Sequence, residues 1–240
     1  MLTQNQILDY VKFPNPNTKT DEDGVLAMGG ELSLEFLISA YRQGVFPWFN
    51  EGEPVLWWSP NPRCVLELDK IYVSKTVKQQ IRKKQYTLHL DTDFKSVISN
   101  CQKVKRKNED GTWISNDIID AYLELHNLGI AHSVEVYNEQ QDLVGGLYGL
   151  SIGKMFYGES MFAKESNTSK IAFVFLAHFL KSISFDLLDC QVTNPHLLSL
   201  GCIEIDRKKF LKINKQSIEN QTLIGKWTEI ANKFGKDFVI

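Results

Sequence analysis

Apolar positions along this chain hold helical spacing in some stretches and alternate in others, and the changeovers outline its elements. The first thirty residues, rich in Asn, Pro, Gly and Asp, keep no sustained period and read as an irregular arm. Order is expected from Ser33, which can cap a helix carrying Leu34, Phe36, Leu37, Ile38 and Tyr41 on its apolar side, with Gly44 placed for a left-handed terminal residue. Residues 46–63, FPWFNEGEPVLWWSPNPR, hold three Trp, two Phe and four Pro and predict a rigid aromatic loop. CVLEL then reads as a strand, residues 74–84 as a basic helix and YTLHL as a strand. Residues 93–105 form a helix with Phe94, Val97, Ile98, Cys101 and Val104 on one face. A further helix runs from Asn116 to Leu128 and stops at Gly129. The period then drops to two: HSVEVY, DLVGGLYGLSIG and KMFYGESMF predict short strands in an antiparallel meander. Residues 168–183 return to helical spacing, LLDCQV is a short buried strand, and the last forty residues are helical and basic in pattern.

This order predicts an α+β fold with a mixed sheet flanked by helices. A small N-terminal domain is expected at about 1–60, with the larger sheet domain over 61–240. At 43% hydrophobic and 23% charged, 240 residues suffice for a sizeable core. No window approaches the roughly 18 to 20 apolar residues of a membrane span, and the N-terminus lacks a signal-peptide pattern, so a cytoplasmic, monomeric protein without a membrane partner is expected. The four cysteines show neither a CxxC pair nor a nearby HxxxH, which predicts no metal site and no disulfide framework. A net charge of −2 argues against coating long duplex nucleic acid, so any such partner would be held locally. Two basic clusters could serve: Lys75, Lys78, Arg82, Lys83 and Lys84, and then Lys103, Lys105, Arg106 and Lys107. Charge alone favours a solvated helix face for each.

Core-building does not account for the aromatic loop, for residues 153–170 or for residues 188–194. Phe46-Pro47-Trp48-Phe49, Trp57-Trp58-Ser59-Pro60 with Pro62-Arg63, Gly111-Thr112-Trp113-Ile114, Gly158-Glu159-Ser160-Met161-Phe162, Ser169-Lys170 and Asp189-Cys190-Gln191 resemble, in that order, the signature runs of the leucyl/phenylalanyl-tRNA protein transferases. The resemblance spans about residues 10 to 213. It implies a GNAT-like fold for the larger domain, leucyl- or phenylalanyl-tRNA as donor, and an acceptor protein beginning with Arg or Lys that is thereby marked for N-end-rule degradation. Turning an ester into an amide runs downhill, so no cofactor is expected.

Asp189 and Gln191 stand two apart on the expected strand and so share a face. Gln191 is expected to hold the acceptor amine while Asp189 polarises it and receives its proton, a relay the resemblance supports; backbone hydrogen bonding at a strand end is the alternative. Glu159, beside Ser160, could bind the free α-amine of the aminoacyl group. By the resemblance, Trp48 leads as the stacking platform for the terminal adenosine, with Tyr41 and Trp113 near it. The basic helix over 75–84 would meet the acceptor stem. By position, Leu147, Phe156, Phe173, Leu176, Leu180 and Leu188 would line the side-chain pocket. Leu and Phe are exchanged at several of these positions relative to the family pattern, which leaves the preference among Leu, Phe and Met open. Three other readings compete. An acyl-CoA-dependent N-acetyltransferase should carry a glycine-rich turn where this chain has AKESNTSKIAF. A peptidoglycan-building transferase should be longer, with a tandem repeat, and a non-catalytic tRNA-binding module leaves Asp189 and Gln191 without a purpose.

Overall fold

The computed structural model describes residues 7–104 and 112–233. Three residues of the second basic run, Lys105, Arg106 and Lys107, lie outside them, as does Gly111. Residues 7–30 are more regular than their composition suggests. Asn15 caps a short helix, α1 (Pro16–Lys19), and β1 (Val25–Met28) follows. The expected irregular arm and aromatic loop are both corrected here: β1 pairs antiparallel with β3 (Leu56–Trp58), which pairs with β2 (Phe46–Pro47). Strands of two to four residues give little alternation to read, and the partner of β1 lies about thirty residues along the chain. The indole N–H of Trp57 donates to the Gly29 carbonyl at 2.8 Å, and its ring packs on Phe13 and Phe36 at 5.0 and 5.9 Å, so aromatic packing holds this small sheet. Between β1 and β2, α2 (Leu34–Arg42) starts at the Ser33 cap and gives way to Gly44 at φ 74°, as its pattern predicts.

The larger sheet takes seven strands: β4 (Arg63–Leu66), β5 (Thr87–Leu90), β6 (Ala131–Tyr137), β7 (Leu143–Ile152), β8 (Met155–Ala163), β9 (Leu187–Gln191) and β10 (Ile203–Ile205). Their order is β10-β4-β9-β8-β7-β6-β5, with only β8 and β9 parallel. With α3 (Lys75–Arg82), α4 (Phe94–Lys103), α5 (Asn116–Asn127), α6 (Thr168–Ser182), α7 (Pro195–Leu198), α8 (Arg207–Ser217) and α9 (Trp227–Lys233), the fold is α+β with a mixed sheet. The last forty residues include β10 as well as helices. No helix among the described residues is long and apolar enough to cross a membrane.

A parallel pair needs a crossover, and α6 supplies it between β8 and β9. Pairing of β8 with β9 covers only Met155 to Tyr157 against Leu187 to Asp189; beyond that point the two strands diverge. Both strands carry an extra residue there. On β8, Gly158 and Ser160 oppose consecutive residues of β7, leaving Glu159 bulged. On β9, Asp189 and Gln191 oppose consecutive residues of β4, leaving Cys190 bulged and Gln191 left-handed at φ 62°. Bulges re-aim side chains and end pairing, and these two lie side by side.

One apolar cluster joins α2, α4 and α5 to the small sheet and one face of the large sheet; the other packs α6 against the opposite face. In the latter cluster Trp227 is fully buried, stacked on His132 at 3.9 Å and close to Phe156, Phe179 and Phe185.

Candidate active site

The gap where β8 and β9 part opens into a cavity of about 950 Å³. Residues 158–163 of the diverging β8 form one wall and residues 190–197 the other. Trp48 and Trp113, both half-buried, line it from the small sheet and from the turn before α5. Leu147, Phe173, Leu176 and Leu188 give it an apolar side, and Glu159, Ser160 and Gln191 a polar one.

Four expected site residues stand behind this surface. Tyr41 is fully buried, so it offers no stacking face; its hydroxyl donates to Glu159 Oε1 at 2.6 Å and shares a short hydrogen bond with the Tyr122 hydroxyl. Phe156 belongs to the still-paired part of β8 and packs toward Trp227. Leu180 lies a turn beyond Leu176 on α6, deeper than the cavity reaches. Both fill the core under the expected pocket rather than line it.

Asp189 is the fourth, held behind the cavity wall by a buried ion pair. Arg63, 1% exposed, grips it in a fork: Nε donates to Oδ1 at 2.8 Å and Nη2 to Oδ2 at 2.6 Å. The guanidinium lies between the rings of Phe46 and Phe210, 4.7 and 4.4 Å from their centroids. Asp189 Oδ1 also accepts from the Gln191 backbone N–H at 2.9 Å. Each carboxylate oxygen thus accepts at least one hydrogen bond from within the protein. The bulge and the left-handed Gln191 undo the alternation that would have aimed both side chains alike. Gln191 turns instead to Glu159, donating from Nε2 to Oε1 at 2.7 Å.

Glu159 is the focus of this network. Its Oε1 receives Tyr41 and Gln191, whereas Oε2 is shielded from bulk water and has no hydrogen-bond partner. Burial pushes its carboxyl up to about 7, opposed by the Tyr41 and Tyr122 hydroxyls and reinforced by the Asp189 charge. Burial likewise pushes Tyr41 and Tyr122 well above the usual phenol range, so both stay protonated donors.

Lys75, Lys78, Arg82, Lys83 and Lys84 all reach the surface on and just after α3. That helix is tied to the start of α6 by Gln80, which donates to the Ser166 carbonyl and accepts from Asn167 at 3.1 and 2.8 Å. Arg63, met only as part of the Pro62-Arg63 run, and Tyr122 are the side chains of this network to which sequence reading assigned no role. A charged residue at the start of a hydrophobic strand was the available sign of Arg63. Nothing in the sequence sets Tyr122 apart from the other apolar-face positions of α5.

Residues 65–215 match the family described as leucyl/phenylalanyl-tRNA protein transferase, and residues 30–61 match that family's N-terminal domain. The chain is similar to a leucyl/phenylalanyl-tRNA protein transferase of Flavobacterium johnsoniae, 56% identical over 203 residues that cover 85% of this chain and 95% of that protein. It is similar also to one of Maridesulfovibrio salexigens, 48% identical over 222 residues that cover 92% of each. Among solved structures it is similar to L-PGS from Bacillus licheniformis, with a TM-score of 0.40 and 14% identity, covering 57% of this chain and 48% of that one. The matched family spans the strands, bulges and cavity walls described above, and the chain belongs to the leucyl/phenylalanyl-tRNA protein transferases.

Proposed function

We propose that this enzyme moves Leu or Phe, with Met as a further donor side chain, from aminoacyl-tRNA to the α-amine of proteins that begin with Arg or Lys, marking them for N-end-rule degradation. What carries the reading is one cavity in which aromatic, apolar and polar walls meet: Trp48 and Trp113, then Leu147, Phe173, Leu176 and Leu188, then Glu159 and Gln191. The terminal adenosine stacks on Trp48, an interaction worth about 1–3 kcal/mol per base, with Trp113 beside it. The aminoacyl side chain enters the apolar part, where one methyl group is worth about 1–3 kcal/mol, so shape gives modest selection. The cations of α3 meet phosphates of the acceptor stem, which suits a protein of net charge −2 that holds RNA only locally.

At the reacting centre the amine nitrogen forms an amide with the ester carbon, and the ribose oxygen leaves. Holding the two in near-attack geometry supplies much of the barrier reduction. Gln191, its Nε2 given to Glu159, presents the carboxamide oxygen to an amine. Asp189 acts through Gln191: clamped by Arg63, it fixes the backbone that carries it. A division at about residue 60, action as a monomer and a cytoplasmic setting belong to the same reading.

Incubating the protein with radiolabelled leucyl-tRNA and an Arg-starting peptide, without ATP or acyl-CoA, tests it. Label in the peptide is the expected result; retained tRNA with no labelled peptide would leave only a binding module.

A further inference from the structure

We infer that Trp58 is a positioning residue of this enzyme: it holds the Trp48 indole in the attitude that receives the terminal adenosine of the aminoacyl-tRNA. The inference rests on the proposed stacking role of Trp48 and identifies what prepares that ring for its ligand.

The two adjacent tryptophans of β3 divide their work. Successive side chains of a strand point to opposite faces, so Trp57 and Trp58 serve different surroundings. Trp57 is 1% exposed and is accounted for by the core, where its ring packs on Phe13 and Phe36 and its N–H meets the Gly29 carbonyl. Trp58 points the other way and stays half-buried. Strand pairing does not call on its indole, because the register joins Trp58 to Val25 on one side and to Phe46 on the other through the backbone.

The indole engages Trp48 twice instead. Its Nε1–H donates to the Trp48 carbonyl at 2.5 Å, and the two rings lie 5.1 Å apart with their planes 50° from parallel. That separation is within the range over which aromatic pairs attract. The Trp48 N–H in turn donates to the Leu56 carbonyl at 3.0 Å, continuing the β2–β3 pairing past Pro47. Both backbone polar groups of Trp48 are thus held by β3, and its ring rests against a second indole. Trp48 lines the cavity, whereas Trp58 stands outside that lining. Trp58 therefore reaches a bound nucleoside through Trp48.

The consequence is preorganisation. A half-buried indole that follows a strand of only two residues has little else to fix its two side-chain torsions, and stacking a base on it requires both to be fixed. Ordering a free side chain on binding costs affinity, and a ring that is already held loses little.

The experiment measures the dissociation constant of a non-hydrolysable leucyl-adenosine amide and the single-turnover rate at saturating leucyl-tRNA. It uses Trp58→Leu and Trp58→Phe, each alone and combined with Trp48→Ala. In Trp58→Leu, binding should weaken by about two- to tenfold while the saturated rate stays within about twofold. Trp58→Phe keeps a ring against Trp48 and loses the N–H, so its loss should be smaller but present. Being aromatic, it also suits a strand and carries the test if Trp58→Leu does not fold. In the Trp48→Ala background neither substitution should weaken binding further, because the residue through which Trp58 acts is gone. An equal loss in both backgrounds, or a fall in saturated rate with binding intact, would make Trp58 a general strut of the small sheet and overturn the assignment. Unchanged binding in the folded Trp58 variants would do the same. Full binding by Trp48→Ala alone would instead remove the stacking reading beneath it.

Discussion

Two buried polar clusters lie in the large sheet, and each contains a glutamate whose carboxyl burial raises to about 7. At the β5–β6 side, Glu135 receives the Ser133 hydroxyl and the Asp93 N–H on one oxygen and the Thr92 hydroxyl on the other. Beside it, Asp91 accepts from the Ser133 and Trp227 backbone N–H groups and pairs with His132, so the cluster fastens the C-terminal segment to the sheet. At the β8–β9 splay, Glu159 has one oxygen fixed and one unpartnered. A displaced pKa is thus shared by two carboxyls in different surroundings. What separates them is geometry: every oxygen of the first is used within the protein, whereas the second keeps one buried oxygen without a hydrogen-bond partner in a residue that lines the cavity.

Variants can break this contrast. The largest effect is expected from Arg63→Met, which strands the Asp189 carboxylate in the interior and should cost about 3–5 kcal/mol in urea unfolding, with transfer lost as well. Near wild-type stability in that variant would show that the fork does not anchor β9. Next in size, Trp48→Ala should weaken capture of an aminoacyl-adenosine by roughly ten- to a hundredfold, and an unchanged dissociation constant would refute the stacking role. The smallest effect separates the two glutamates. Because each folded carboxyl is raised from 4.5 to about 7, its contribution to stability is fully present below 4.5 and is lost as pH rises through about 7. Glu135→Gln should flatten that fall, by at most about 1.4 kcal/mol per pH unit, while leaving transfer within about twofold. A large loss of transfer in Glu135→Gln would erase the distinction between the strut and the cavity glutamate.

Long periodic elements were legible because burial on one face writes itself into spacing: α2, α5, α6 and the β6–β8 meander lie where alternation or the helical repeat puts them. The strands β1, β2, β3 and β10 were not: β2, β3 and β10 hold two or three residues, too few for alternation, and β1 and β10 exist through pairing with distant chain. The same limit applies at the site. Aromatic and carboxylate motifs marked Trp48, Trp113, Glu159 and Gln191, which do meet at the cavity, but the two-residue rule that joined Asp189 to Gln191 assumes a regular strand, and the Cys190 bulge breaks it. Helical spacing put Leu176 and Leu180 on one face without saying how far along α6 the cavity extends. Arg63 acquires meaning only once the fold sets it against Asp189, 126 positions away.

The stacked Trp227 carries a further consequence. It stands beyond residue 215, where the family match ends, yet its indole packs on Phe156 with ring centroids 5.4 Å apart. Phe156 in turn opposes Leu188, which lines the cavity. The rear of that cavity is buttressed by residues past the family match, so shortening the polypeptide ahead of this tryptophan would loosen the wall against which, in the proposed reaction, a donor side chain is gauged, even with every wall residue still in place.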